Sequence, residues 1–302
     1  MKKNPFSIYD FLGYVFPGAF ALCIVIYLHN TPQSVSFLGF IDFFSKGLDN
    51  STSSGGFDFA IEETVLYILF SYMAGHLIAY LSSLTVEPLS IWWYGYPSSF
   101  LMGKTRSFFK VNDDKGWYQK IMVKFWRCVV AIFLFPLTIS MLFFGRFLFI
   151  SSYYIKKLDP YLQASIQYKV RCLTKHLSLP YMRNDDEIDY HRIIYHYVYE
   201  VKSAHQVKMD NYVALYDFMR SMTLIMNLTF LYAVYYINTN SVELLWIGVW
   251  MLISTMLLSY LFFMAFMKFY RRFTLEVMMC LVTDETINDK NASTTPIIPA
   301  GK

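Results

Sequence analysis

Two uncharged apolar runs, residues 221–237 and 244–267, flank a short polar turn at 238–243. At about 1.5 Å per residue, runs of about 17 and 24 residues reach roughly 26 and 36 Å, against a hydrocarbon core of roughly 30 Å. The pattern predicts a transmembrane hairpin. Its turn has no Lys or Arg, whereas Arg220 stands at one foot and Lys268, Arg271 and Arg272 at the other. That asymmetry places both feet on the cytoplasmic side.

The same pattern predicts two earlier spans, 11–28 and 64–86. Asp10 is positioned to cap the first, Pro17 to kink it, and Glu87-Pro88 to end the second. Lys2 and Lys3 precede the first run, which continues past any cleavage site and is expected to be retained. The segment 29–63 has Lys46 as its one basic residue against five acidic ones and reads as an external loop. It includes the formal sequon Asn50-Ser51-Thr52. Beyond the second span come Lys104, Arg106, Lys110, Lys115, Lys120, Lys124 and Arg127, so the chain has returned to the cytoplasm. Between these features, Trp92, Trp93, Tyr94 and Tyr96 sit where an interfacial aromatic belt is expected.

The uncharged run 128–145 is long enough to cross once, but a full crossing would carry nine basic residues of 151–219 outside. A re-entrant or interfacial hairpin bent at Phe135-Pro136 respects the charges, provided protein covers its backbone. A fifth full span is the alternative. Asp159-Pro160 then predicts a helix start, with Leu162, Ile166, Val170, Leu173 and Leu177 on one face. Asn184 and Glu187 resemble a capping box, and Tyr190, Ile194, Tyr197 and Val201 mark the apolar face of a further helix. Two such helices cannot make a core alone and must lie on a neighbour, the membrane or another subunit.

The expected fold is therefore an all-α integral membrane protein. It has four full transmembrane helices, a Pro-bent re-entrant or fifth spanning segment, and a small cytoplasmic helical region. Its parts are 1–63, 64–157, 158–218, 219–283 and a disordered tail, 284–302, with both termini cytoplasmic. Composition agrees: of 302 residues, 56% are hydrophobic and 16% charged, against about 25% charged in ordinary soluble domains. The net charge of +4 sits beside apolar runs, where orientation rather than nucleic acid explains it. Four scattered cysteines support neither a disulfide framework nor a zinc site.

Candidate chemistry concentrates in the second span. Tyr72, His76, Tyr80, Ser83 and Glu87 fall on one helical stripe, with small Gly75, Ala79 and Ser82 on the adjoining face for close helix packing. A polar stripe at membrane depth reads either as interhelical glue or as the lining of a polar pathway. His191, His196 and His205 lack the three- or four-residue spacing that pairs metal ligands on one helix, so no metal and no cofactor is expected. Gly103-Lys104-Thr105 lacks the first glycine of a phosphate loop, since position 98 is Ser98. No catalytic motif is present.

Several short stretches resemble a loosely defined group of uncharacterised bacterial inner-membrane proteins. They are Tyr9-Asp10-Phe11-Leu12-Gly13-Tyr14 with Pro17-Gly18, Gly75-His76 with Tyr80-Leu81-Ser82-Ser83 and Glu87, Tyr96-Pro97-Ser98, and Tyr216-Asp217-Phe218-Met219-Arg220. The resemblance implies a bacterial inner-membrane location and a role in phage defence or stress, and transfers no catalytic residue. Together these readings lead to a non-enzymatic effector or channel-like homo-oligomer that answers a soluble cytoplasmic partner. A membrane-anchored scaffold is the alternative, and a transporter or lipid-modifying enzyme a third reading.

Overall fold

Helix is the only regular structure among the residues described by this computed structural model, which are 10–30, 61–104, 108, 116–178, 190–239 and 245–287. A π-helical turn, Phe11–Val15, leads into α1, Phe16–Asn30. Next come α2, Ile61–Tyr94, α3, Pro97–Leu101, and α4, Trp117–Phe133. The short α5, Phe135–Ser140, continues as a second π stretch, Met141–Phe147, and is followed by α6, Ser151–Tyr154. The chain ends with α7, Pro160–His176, α8, Tyr190–Val201, and the two long helices α9, Ser203–Thr239, and α10, Leu245–Val282. The external loop with its sequon, most of the hairpin turn and the capping box at Asn184 lie outside the described residues.

The chain is all-α, and its long apolar helices fit a membrane protein. Val65–Leu101 and Gly248–Val282 are long and apolar enough for a full crossing. The bent pair Trp117–Phe133 and Phe135–Phe147 makes a third only if it is one broken span, and Phe11–Tyr27 is apolar but shorter. Two of the four expected spans thus meet the length and composition of a crossing. The leg 221–237 lies within α9, where Asn227 and three tyrosines thin the apolar run. Asn227 has a compensating partner, because its Nδ2 donates to Ser259 Oγ on α10 as well as to the Thr223 carbonyl. Such hydrogen bonds between apolar helices hold a hairpin together where burial alone favours neither lipid nor protein.

Helix α2 passes through Pro88 instead of ending before it. An interior proline removes one backbone hydrogen bond, but continuing the helix buries Leu89 and Ser90 against the core. Asp10 is itself helical and makes no side-chain cap to the π turn that follows, so capping does not set this start.

The bend expected at Phe135-Pro136 is present, with 89° between its two arms. Leu134, Leu137, Ser140 and Met141 are fully buried, so protein covers the broken backbone, as irregular structure at membrane depth requires. The Thr138 hydroxyl reaches back across the break to the Ala131 carbonyl at 3.0 Å. Beyond the bent segment, the Tyr154 hydroxyl of α6 meets those of Tyr94 at 3.1 Å and Tyr260 at 3.5 Å, tying α6 to α2 and α10.

Helix α4 turns its large apolar side chains, among them Trp117, Ile121, Phe125, Trp126 and Ile132, outward, while Arg127 points inward over the Trp92 ring at 5.5 Å. Trp92 and Trp93 are half-buried against the core, whereas Tyr96 is exposed. Further exposed aromatics, Trp117, Tyr118, Phe125 and Trp126, lie on α4.

Asp159 caps α7 as expected, its Oδ1 accepting from the Leu162 amide at 2.9 Å. Ile166 and Leu173 are buried but Leu177 is exposed, and in α8 the buried pair is Ile194 and Val198, with Val201 exposed. The buried face of α8 is set by the feet of the long helices, since Ile194 and Val198 share a core with Met209, Phe273, Val277 and Leu281. The ordered chain also runs past the expected start of the tail: Asp284 and Ile287 are buried, and 288–302 lies outside the described residues.

Candidate functional site

The stripe on α2 divides among three environments. Tyr72 and His76 meet the first helical segment: the His76 ring stacks on Tyr14 with centroids 3.9 Å apart, and Tyr72 stands edge-on to His76 at 4.5 Å. His76 nevertheless remains exposed, and Tyr80, 62% exposed, points away from the bundle among Met73, Leu77 and Leu84. The Ser83 hydroxyl donates to the Tyr80 carbonyl of its own helix at 2.7 Å and adds nothing to the stripe. Gly75, Ala79 and Ser82 are buried on the adjoining face.

Glycine makes the crossing of α1 and α2 possible. A Cβ on Gly18 would fall 1.8 Å from the Ser71 carbonyl oxygen, and one on Gly75 would fall 1.9 Å from the Tyr14 carbonyl oxygen. The backbones are in contact at these positions, which brings Tyr14 over His76.

One helical turn beyond Ser83, Glu87 enters a charged cluster. The Arg220 guanidinium, on a residue only 7% exposed, pairs with the Glu87 carboxylate and with Asp217 Oδ1 at 2.8 Å, and its Nε donates to Ser82 Oγ at 3.2 Å. Two carboxylates thus share one buried guanidinium, which joins α2 to α9 where the apolar run of α9 begins. Beside it a cavity of about 220 Å³ is lined by Glu87, Tyr96, Ser98, His191, Arg192 and Thr274.

No protein-family model matches this chain, and neither does any curated protein or solved structure. Stretches that lie far apart in sequence meet α2 at two levels: Tyr14 and Gly18 at Ser71 to His76, and Asp217 to Arg220 with Tyr96 to Ser98 at Ser82 to Glu87. Sequence reasoning assigned Arg220 to orientation alone and missed its partners. The available signal was the Asp217–Arg220 pair at i, i+3 opening an apolar run, where an unneutralised charge is expensive.

A second hub was missed because it sits in the expected tail. Asp284 is 1% exposed, and its carboxylate accepts from Tyr197 Oη at 2.9 Å, Lys202 Nζ at 3.2 Å, and the Thr286 amide and hydroxyl at 3.1 and 2.9 Å. Its backbone carbonyl accepts from Lys169 of α7. One residue beyond α10 therefore fastens both α7 and α8. Burial by itself raises the Asp284 pKa, but the hydrogen bonds from Thr286, Tyr197 and Lys202 outweigh it and hold the carboxyl below its ordinary value. The stability this carboxylate contributes is present above the ordinary aspartate pKa of about 4 and disappears as pH falls through the lower folded value. Asp284→Ala is expected to cost roughly 3 kcal/mol, the loss of several hydrogen bonds to a charge. Thermal unfolding between about pH 6 and about pH 3 should show a steeper acid loss in the wild type than in Asp284→Asn. Parallel acid profiles for the two proteins would remove Asp284 from this role.

Proposed function

We propose that this chain is a non-enzymatic membrane effector that assembles as a channel-like homo-oligomer through the outward face of α2. In this reading α1, α2 and the apolar parts of α9 and α10 make four spans with their feet in the cytoplasm. The observation that carries the reading is the placement of His76 and Tyr80, exposed in mid-span on a face otherwise made of Met73, Leu77 and Leu84. Polar groups turned to lipid are costly, and the matching face of a second copy offers them partners and a wet interior.

The cytoplasmic helices favour an effector over an anchored scaffold. Because α7 and α8 bury their apolar faces on the feet of α9 and α10, a partner that moves them also moves the spans. The Arg220 cluster lies on the route from those feet to α2.

Leu77→Cys, on a background without the native cysteines, is expected to form disulfide-linked dimers in membranes, whereas the buried Ala79→Cys is not. His76→Ala and Tyr80→Phe are expected to reduce ion flux through proteoliposomes several-fold. Unchanged flux in both variants, together with monomeric Leu77→Cys, would dispose of the oligomeric channel reading.

A further inference from the structure

Glu276 and Cys280 lie four residues apart on α10 and so share one face of the helix. In the antiparallel hairpin, the last turns of α10 lie beside the first turns of α9, and His205 stands there. The imidazole, carboxylate and thiol donor atoms of His205, Glu276 and Cys280 all lie within 4.8 Å of one another. His205 Nδ1 is already 3.2 Å from Glu276 Oε1. Donors bound to one tetrahedral ion at about 2.0–2.3 Å are themselves roughly 3.3–3.8 Å apart, so small side-chain rotations complete the set.

We propose that His205, Glu276 and Cys280 form a binding site for a divalent transition-metal ion of the Zn2+ class that clamps the cytoplasmic feet of α9 and α10. No two histidines stand at ligand spacing on a single helix. Here the ligands come from two helices, through the neighbourhood that the hairpin creates. Nitrogen, carboxylate oxygen and thiolate sulfur together suit Zn2+ and disfavour Ca2+ or Mg2+, which take oxygen alone. Cys280 is 4% exposed and gives the site a dry floor, while the His205 side chain, 47% exposed, leaves an entry path and room for water as fourth ligand.

Lys208 identifies where a cation is wanted. Its Nζ holds Glu276 Oε1 at 2.7 Å, and its side chain is 53% exposed, so it withdraws into water when a metal arrives. Lys202, the other nearby cation, is engaged by Asp284 at 3.2 Å. On binding, metal–nitrogen, metal–oxygen and metal–sulfur bonds form, the thiol proton leaves to solvent, and nothing is oxidised or reduced. This site is independent of the oligomeric reading, because it lies within one chain.

The test is a Co2+ titration of the purified full-length chain in nanodiscs, with Zn2+ as competitor. A thiolate-to-cobalt charge-transfer band at one ion per chain is expected, abolished by Cys280→Ser and retained in Cys128→Ser. His205→Ala and Glu276→Gln should weaken binding about tenfold or more. Lys208→Met should tighten it, because the competing ammonium is gone; this exposed change also guards against a Cys280 variant that simply misfolds. A wild type without the band, a band that survives Cys280→Ser, or a Lys208→Met variant that binds no tighter overturns the proposal.

Discussion

Replacing Arg220 with alanine is expected to cost about 3–5 kcal/mol, enough to unfold the chain or to part α2 from α9 in most molecules. The guanidinium neutralises Glu87 and Asp217 in a buried setting, and its removal takes that shared cation from both carboxylates. Arg220→Lys should recover only part of the loss, because an ammonium cannot fork to both carboxylates and Ser82 with the same geometry. The combined change Arg220→Met with Glu87→Gln should be milder than Arg220→Ala alone, since it removes one of the two carboxylates together with the cation they share and fills the space with a side chain. Thermal unfolding of the detergent-solubilised protein checks all three. Equal midpoints for Arg220→Ala and wild type would show that the cluster does not join the helices.

Gly18→Ala is expected to be nearly as damaging, at about 3 kcal/mol, despite adding one methyl group. Its Cβ would fall 1.8 Å from the Ser71 carbonyl oxygen and 2.6 Å from the Gly75 nitrogen, which are backbone atoms that cannot rotate away. The two helices must separate, and the stack of Tyr14 on His76 opens with them. Gly13→Ala is the matched control, because a Cβ there meets nothing within 4 Å. Disulfide trapping between the engineered pair Tyr14→Cys and His76→Cys, with and without Gly18→Ala, reads the separation directly. Undiminished trapping in the Gly18→Ala background would show that the crossing tolerates a side chain.

Much of the architecture was legible along the chain because membrane burial writes itself as long uncharged runs. The bend at Phe135-Pro136 and the cap at Asp159 followed from the local rules of proline and helix ends, and both are present. Local rules failed where tertiary burial opposed them. Pro88 did not stop α2, and the inward face of α8 uses Val198 rather than Val201. Trp92 and Trp93 pack partly against the core, and Arg127 of α4 sits over the Trp92 ring, contacts that no local pattern announces. Asp284 looked like the start of a polar tail until Tyr197, Lys202 and Thr286 surrounded it.

By itself the sequence determined the helical class, the apolar stretches and the positions of the charges beside them, since those depend on composition and period within one segment. Only the tertiary structure decided which charges meet. Arg220 with Glu87 is joined across 133 residues of chain, and His205 is brought beside Glu276 and Cys280 across about 70, and no periodicity encodes such distances. Those pairings arise when apolar faces pack and bring the remaining polar groups close enough that leaving them unpaired would cost more than joining them.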